Sequence, residues 1–179
     1  MKDYSTNDGK VKLILIEAEE PNYGRMLYKI RIENNGKDVT SDFEPNWNRI
    51  SYYLDRFEFA SQSSNYCFFP FESGGILYDI NNNQQLNLSP TPKLPKYQYY
   101  RFIGNQFSGN QFVEVHNYII KMVNLETKVI KEIQANAETM FEWVNFVDDN
   151  TIEVTINEVE INGNTIKITG NKKTLYNNA

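Results

Sequence analysis

With one histidine, one cysteine and no basic excess, the 179-residue chain has few ways to do chemistry. A single imidazole, His116, excludes any catalytic scheme or metal site that draws on two. A single thiol, Cys67, excludes an intramolecular disulfide and fits a reducing compartment. Lysine and arginine number 18 against 23 acidic residues, and the formal charge of −5 offers no positive field to a phosphate backbone. Nucleic acid is therefore not an expected partner. No apolar run approaches the roughly 18 residues that a membrane helix requires, so no membrane partner is expected. The opening MKDYSTNDGK has no apolar stretch after Lys2, so no signal peptide is expected there and the protein reads as cytoplasmic. Gly-rich phosphate loops, G-x-S-x-G, H-E-x-x-H and cysteine clusters are all missing, so neither a cofactor nor a metal is expected.

What the chain does have is aromatic weight and asparagine. Aromatic residues make up 14% of it, with 12 Tyr and 11 Phe, and such side chains suit half-buried pleated surfaces better than helices. Asparagine takes about one position in eight, well above an ordinary share. Codon bias in a low-GC microbial genome accounts for much of that, since Asn, Lys, Ile and Tyr share AT-rich codons. The length fits one domain, 1–179, able to bury roughly 70% of the surface of its unfolded form.

Hairpin signals recur along this domain. In 117–134, NYIIKMVNLETKVIKEIQ, two β-rich runs, 118–123 and 128–133, flank the polar turn Asn124-Leu125-Glu126-Thr127. MLYKIRIENNGKDV, GILYDINNNQQLNL and NTIKITGNKKTLY repeat the form. In the first of these, Leu27, Lys29 and Arg31 alternate with Tyr28, Ile30 and Ile32, as in a sheet wetted on one side, and Asn34-Asn35-Gly36-Lys37 supplies residues that tolerate the positive φ of a tight turn. Further strands are expected at 11–17, 66–71, 97–103, 111–116, 140–147, 151–156 and 165–169. Pro70 in YCFFPF cannot donate to a ladder and belongs at an edge or a bulge. Residues 46–54 are ambiguous: Trp47, Ile50 and Leu54 have helical spacing, whereas Tyr52-Tyr53 favours a strand. SPTPKLPK, 89–96, holds three of the six prolines and reads as a connector between units.

The hairpins fall into a period. Phe57 lies 45 positions before Phe102, Phe102 lies 44 before Phe146, and Asp79 lies 45 before Asn124. The expected fold is all-β, about four antiparallel meander units of ~45 residues: a degenerate first unit at about 11–40, then units at about 50–90, 97–134 and 140–176. NYIIKMVNLETKVIKEI resembles the third and fourth strands of a blade of the WD-like and kelch-like β-propeller superfamily, where a strand ending in a small polar residue enters a short Thr-containing turn. The resemblance extends over 56–175 as repeats. The sequence lacks the Trp-Asp dipeptide, the Gly-His pair and the regular double glycine of those families. A small or partial propeller and a plain twisted antiparallel sheet both satisfy the period.

Candidate chemistry is sparse. Glu114 and His116 alternate on one strand with Phe112, which would let a carboxylate orient an imidazole, but in an acidic β domain they are expected to be ordinary surface residues. Cys67, among aromatics and without a basic neighbour, is expected to be buried and inert. Asp148-Asp149 is turn chemistry before it is a cation site, and Glu153, Glu158 and Glu160 are expected on the solvated face of the last hairpins. No catalytic residue and no metal ligand is assigned. Trp47, Tyr52 and Tyr53 in one connector and Tyr97, Tyr99 and Tyr100 in the next occupy equivalent places; they either anchor a partner or pack in the core.

The expected function is a non-enzymatic, cytoplasmic protein-binding module. In size, acidity and lack of a leader it is similar to the immunity proteins of bacterial toxin systems, which neutralise a toxin domain by direct binding. A carbohydrate-binding or surface-associated β module stacking sugars on Tyr and Trp is the alternative, and a propeller-type hydrolase with acids drawn from separate blades is the third.

Overall fold

In the computed structural model, residues 2–6, 8–19, 27–40, 65–71, 74–88, 101–163 and 165–177 are described. They form fourteen strands, all antiparallel, in four sheets whose strands follow chain order. The chain divides into two compact units, Met1–Pro90 and Thr91–Ala179, and the division falls inside the proline-rich SPTPKLPK. No described helix is long and apolar enough to cross a membrane. Residues 46–54 lie outside the described part.

The first unit holds two sheets. Strands β1 (Lys2–Ser5), β2 (Val11–Glu19), β3 (Leu27–Asn34) and β4 (Lys37–Asp38) form one meander. The β3–β4 turn has Asn35 and Gly36 at φ of 49° and 79°, the pair of positive values that a two-residue hairpin turn needs to match strand twist. Strands β5 (Tyr66–Phe71), β6 (Gly74–Asp79) and β7 (Gln84–Asn87) form the second, with Pro70 on the outer strand among the described residues.

Alternation sends Val11, Leu13, Ile32 and Val39 of the first sheet into one apolar cluster with Cys67, Phe69, Ile76, Tyr78 and Ile80 of the second. Each such side chain contributes about 1.5–3 kcal/mol on full burial. A polar clasp closes the cluster at one end. Asn34 Nδ2 donates to Tyr78 Oη at 2.8 Å and to the Ile80 carbonyl at 2.9 Å, and Tyr78 Oη donates on to Asn83 Oδ1.

In the second unit, β8 (Phe102–Ser108), β9 (Gln111–His116), β10 (Ile119–Asn124) and β11 (Ile130–Gln134) make a four-stranded meander, and β12 (Thr139–Phe146), β13 (Thr151–Asn162) and β14 (Thr165–Asn177) a three-stranded one. Val113, Val115, Ile120, Met122 and Ile133 pack against Phe141, Val144, Ile152, Val154 and Ile156. The 45-residue register has a physical counterpart. Asn124 Oδ1 accepts the Glu126 and Thr127 amides at 3.0 and 2.9 Å, and Asp79 Oδ1 accepts the Asn82 amide at 3.0 Å, so both side chains cap the turn that follows their strand.

Two expectations need correction. Of the strand expected at 97–103, residues 97–100 lie outside the described part; β8 begins at Phe102 and carries on past 103 to Ser108, because Gly104 and Asn105 pair with Val115 and Glu114. NTIKITGNKKTLY, expected to hold two short runs about a polar turn, does not turn within itself. β14 runs unbroken beside β13, and the extra residue is absorbed as a register shift at Glu158/Val159. The final unit therefore has three strands and not four.

Replacing Asn34 with alanine removes both bonds of the clasp and leaves the Ile80 carbonyl without that donor. We expect a loss of about 2 kcal/mol, read as a lower urea midpoint with an unchanged denaturant slope.

Candidate functional site

The second unit contains two places where polar or aromatic groups gather. The first is inside. β12 and β13 alternate buried and exposed positions, whereas all of β9 and five of the six residues of β10 are buried, so their sheet is covered on both faces. One face is the apolar cluster. The other carries Glu114 on β9 with Lys121 opposite it on β10 and Asn105 opposite it on β8. Glu114, His116 and Lys121 are each 0% exposed.

The expectation that Glu114 and His116 are surface residues is thus overturned. The two-residue spacing does bring them together: His116 Nε2 contacts Glu114 Oε1, and the Phe102 ring stands edge-on to the imidazole with centroids 5.5 Å apart. Glu114 Oε2 has no hydrogen-bond partner among the described residues. The pair is closed off from solvent. Burying charge is costly unless it is paired, and deleting one member of a buried set costs more than the pair contributes.

The second place is outside. β12 carries a bulge between Phe141 and Trp143, so Phe141 and Val144 both point into the core although they are three residues apart. The same bulge turns Trp143 away from the core. It stands opposite Thr155, which stands opposite Lys173; Asn145, Glu153 and Leu175 form the next row. Trp143 is half-buried and its Nε1 donates to Asn145 Oδ1 at 3.1 Å, while Leu175 is 62% exposed. Lys173 Nζ meets Glu153 Oε1 at 2.7 Å across this face.

The six aromatic residues expected to bind a partner, Trp47, Tyr52, Tyr53, Tyr97, Tyr99 and Tyr100, lie outside the described residues. Trp143 was not singled out from the sequence. Strict alternation puts it on the same face as Phe141, and nothing in MFEWVNFV announces a bulge.

The remaining candidates are placed plainly. Cys67 is fully buried in the first unit's core, and burial pushes its thiol pKa far up. Asp148 accepts the Asn150 amide at 2.8 Å, and that bond first of all holds its carboxyl below the usual range. No three His, Cys, Asp or Glu side chains among the described residues are placed to hold a metal ion. Glu158 and Glu160 are exposed and Glu153 partly so, as the last hairpin's solvated face requires. Compared with known proteins, the chain matches no family model, and no curated protein matches it in sequence.

Glu114→Leu should destabilise the protein by about 3 kcal/mol, because it takes away the buried group that His116 Nε2 contacts and leaves a fully buried imidazole nitrogen without it; chemical denaturation measures it. Cys67 should stay unmodified by a thiol reagent at pH 8 in the native protein and react fully in denaturant. The sign follows from the raised pKa: the thiolate is the reactive form, and burial keeps the thiol protonated.

Proposed function

We propose that this chain is a non-enzymatic, cytoplasmic protein-binding module of the immunity type, which neutralises a toxin domain by direct binding. The observation that carries the reading is the outward face of the β12–β14 sheet, where Trp143 and Leu175 stand beside the Lys173–Glu153 pair. A tryptophan held by a bulge and by its bond to Asn145 is a rigid aromatic anchor that loses little entropy on contact, and binding energy in protein interfaces concentrates on such residues. An amphipathic face with exposed leucine at its edge suits a macromolecular surface.

The architecture supports the same reading. Each sheet has the sequential strand order of a propeller blade, and we read the four meanders as units of a small or partial propeller. A non-enzymatic role is in keeping with the geometry of the Glu114–His116 pair, which sits sealed in the sheet interior.

The test is capture from the native host. A single protein should co-purify at near-stoichiometric amounts, and Trp143→Ala should weaken that association by about 2 kcal/mol or more while leaving the urea midpoint almost unchanged. Recovery of abundant non-specific proteins alone would sink the proposal.

A further inference from the structure

We propose that residues 171–177 of β14 are a strand-addition seam for an extended, acidic segment of the protein partner, running antiparallel with two carboxylates opposite Lys172 and Lys173 and two apolar side chains opposite Tyr176 and Leu175. This rests on the protein-binding reading and specifies how the partner docks.

β14 is the outermost strand of its sheet, hydrogen-bonded to β13 on one side, with no strand on the other among the described residues. Its last seven residues pair with Thr151 through Asn157 without interruption, the register shift lying beyond them at Glu158/Val159. That is a strand of ordinary length with regular spacing, the geometry that main-chain addition requires. The far end is fixed as well. Lys131 Nζ, from β11, donates to the Asn177 carbonyl at 2.6 Å, so the edge is held in place before anything binds.

Charge selects the occupant. β14 carries Lys167, Lys172 and Lys173 and no carboxylate, in a chain of net charge −5. Lys173 reaches Glu153 at 2.7 Å and Lys172 reaches Glu158 at 4.0 Å, yet their side chains are 64% and 54% exposed. Each ammonium has three donors, so these exposed pairs leave capacity for a second carboxylate. A second copy of this chain fits poorly, since its 171–177 would bring two more lysines and no acid to the seam. Lysines on an edge commonly deter pairing with other chains; beside an acidic strand the same lysines favour it.

The probe is an end-capped peptide containing Val-Val-Thr-Glu-Glu, titrated into the full-length protein and followed by amide chemical shifts and hydrogen exchange. Saturable shifts along 171–177, slowed exchange of amides there, several-fold weaker binding at high salt and loss of binding with a Val-Val-Thr-Lys-Lys peptide are expected. Lys172→Thr/Lys173→Thr should reproduce the loss; the reversed peptide on unaltered protein makes the same test should that variant fold poorly. Shifts elsewhere, equal binding of both peptides, or self-association through β14 in sedimentation would overturn the seam. If the host partner is captured equally by wild type and the double variant while the peptide does not bind, strand addition falls and the protein-binding reading stands. If neither captures a partner, that reading falls by itself.

Discussion

An antiparallel sheet made of aromatic and β-branched residues has an apolar face that must be covered, and finding that cover is the constraint from which the rest of this fold follows. A single meander of three or four strands standing by itself would leave that face in water. In each unit the solution is to press two consecutive meanders together: Val11, Leu13 and Ile32 against Phe69, Ile76 and Tyr78 in one, Val113, Val115 and Ile120 against Phe141, Val144 and Val154 in the other. The polar residues then serve that contact. Asn34 reaches across to Tyr78, and Asp79 and Asn124 tie down the turns that bring each meander's strands back into register.

How much of this could be read from the residues depends on whether the governing interaction is local. Turn chemistry is local. Asn35-Gly36, Asp79 and Asn124 act within four residues of themselves, and they marked their hairpin turns and the all-β class correctly. Bulges are not local, because their position is decided by the partner strand. The Phe141/Trp143 shift and the Glu158/Val159 shift were invisible for that reason, and with them went the outward turn of Trp143 and the full length of β14. Burial of a polar face is less local still. Glu114, His116 and Lys121 lie at the spacing of a solvated stripe, and the pattern contains no sign that the stripe is covered.

The two polar groupings of the second unit show how alike sequence patterns diverge in consequence. Glu114 and Lys121 oppose each other across β9 and β10 with no exposure, where a polar group must be satisfied by its protein neighbours and a fully satisfied set would stiffen the sheet. Glu153 and Lys173 meet diagonally across β13 and β14 with access to water, where the pair contributes about 0–1 kcal/mol. The first arrangement gives up access in return for stiffness. The second keeps access.

Access without disorder is what a docking surface requires, and the β13–β14 ladder supplies it by an unusual division of labour. Glu153, Glu158 and Glu160 all lie on β13, and Lys173, Lys172 and Lys167 all lie on β14. Glu153 with Lys173 and Glu158 with Lys172 form ion pairs, and Glu160 stands directly opposite Lys167. A one-residue slip of register would turn Ile152, Val154 and Ile156 out of the core, so the apolar inner face sets the pairing. Register is thus secured by the inner face, with no further strand on the β14 edge among the described residues. That leaves Trp143, Leu175 and the outer edge of β14 both ordered and open, a combination that packing alone would not have produced.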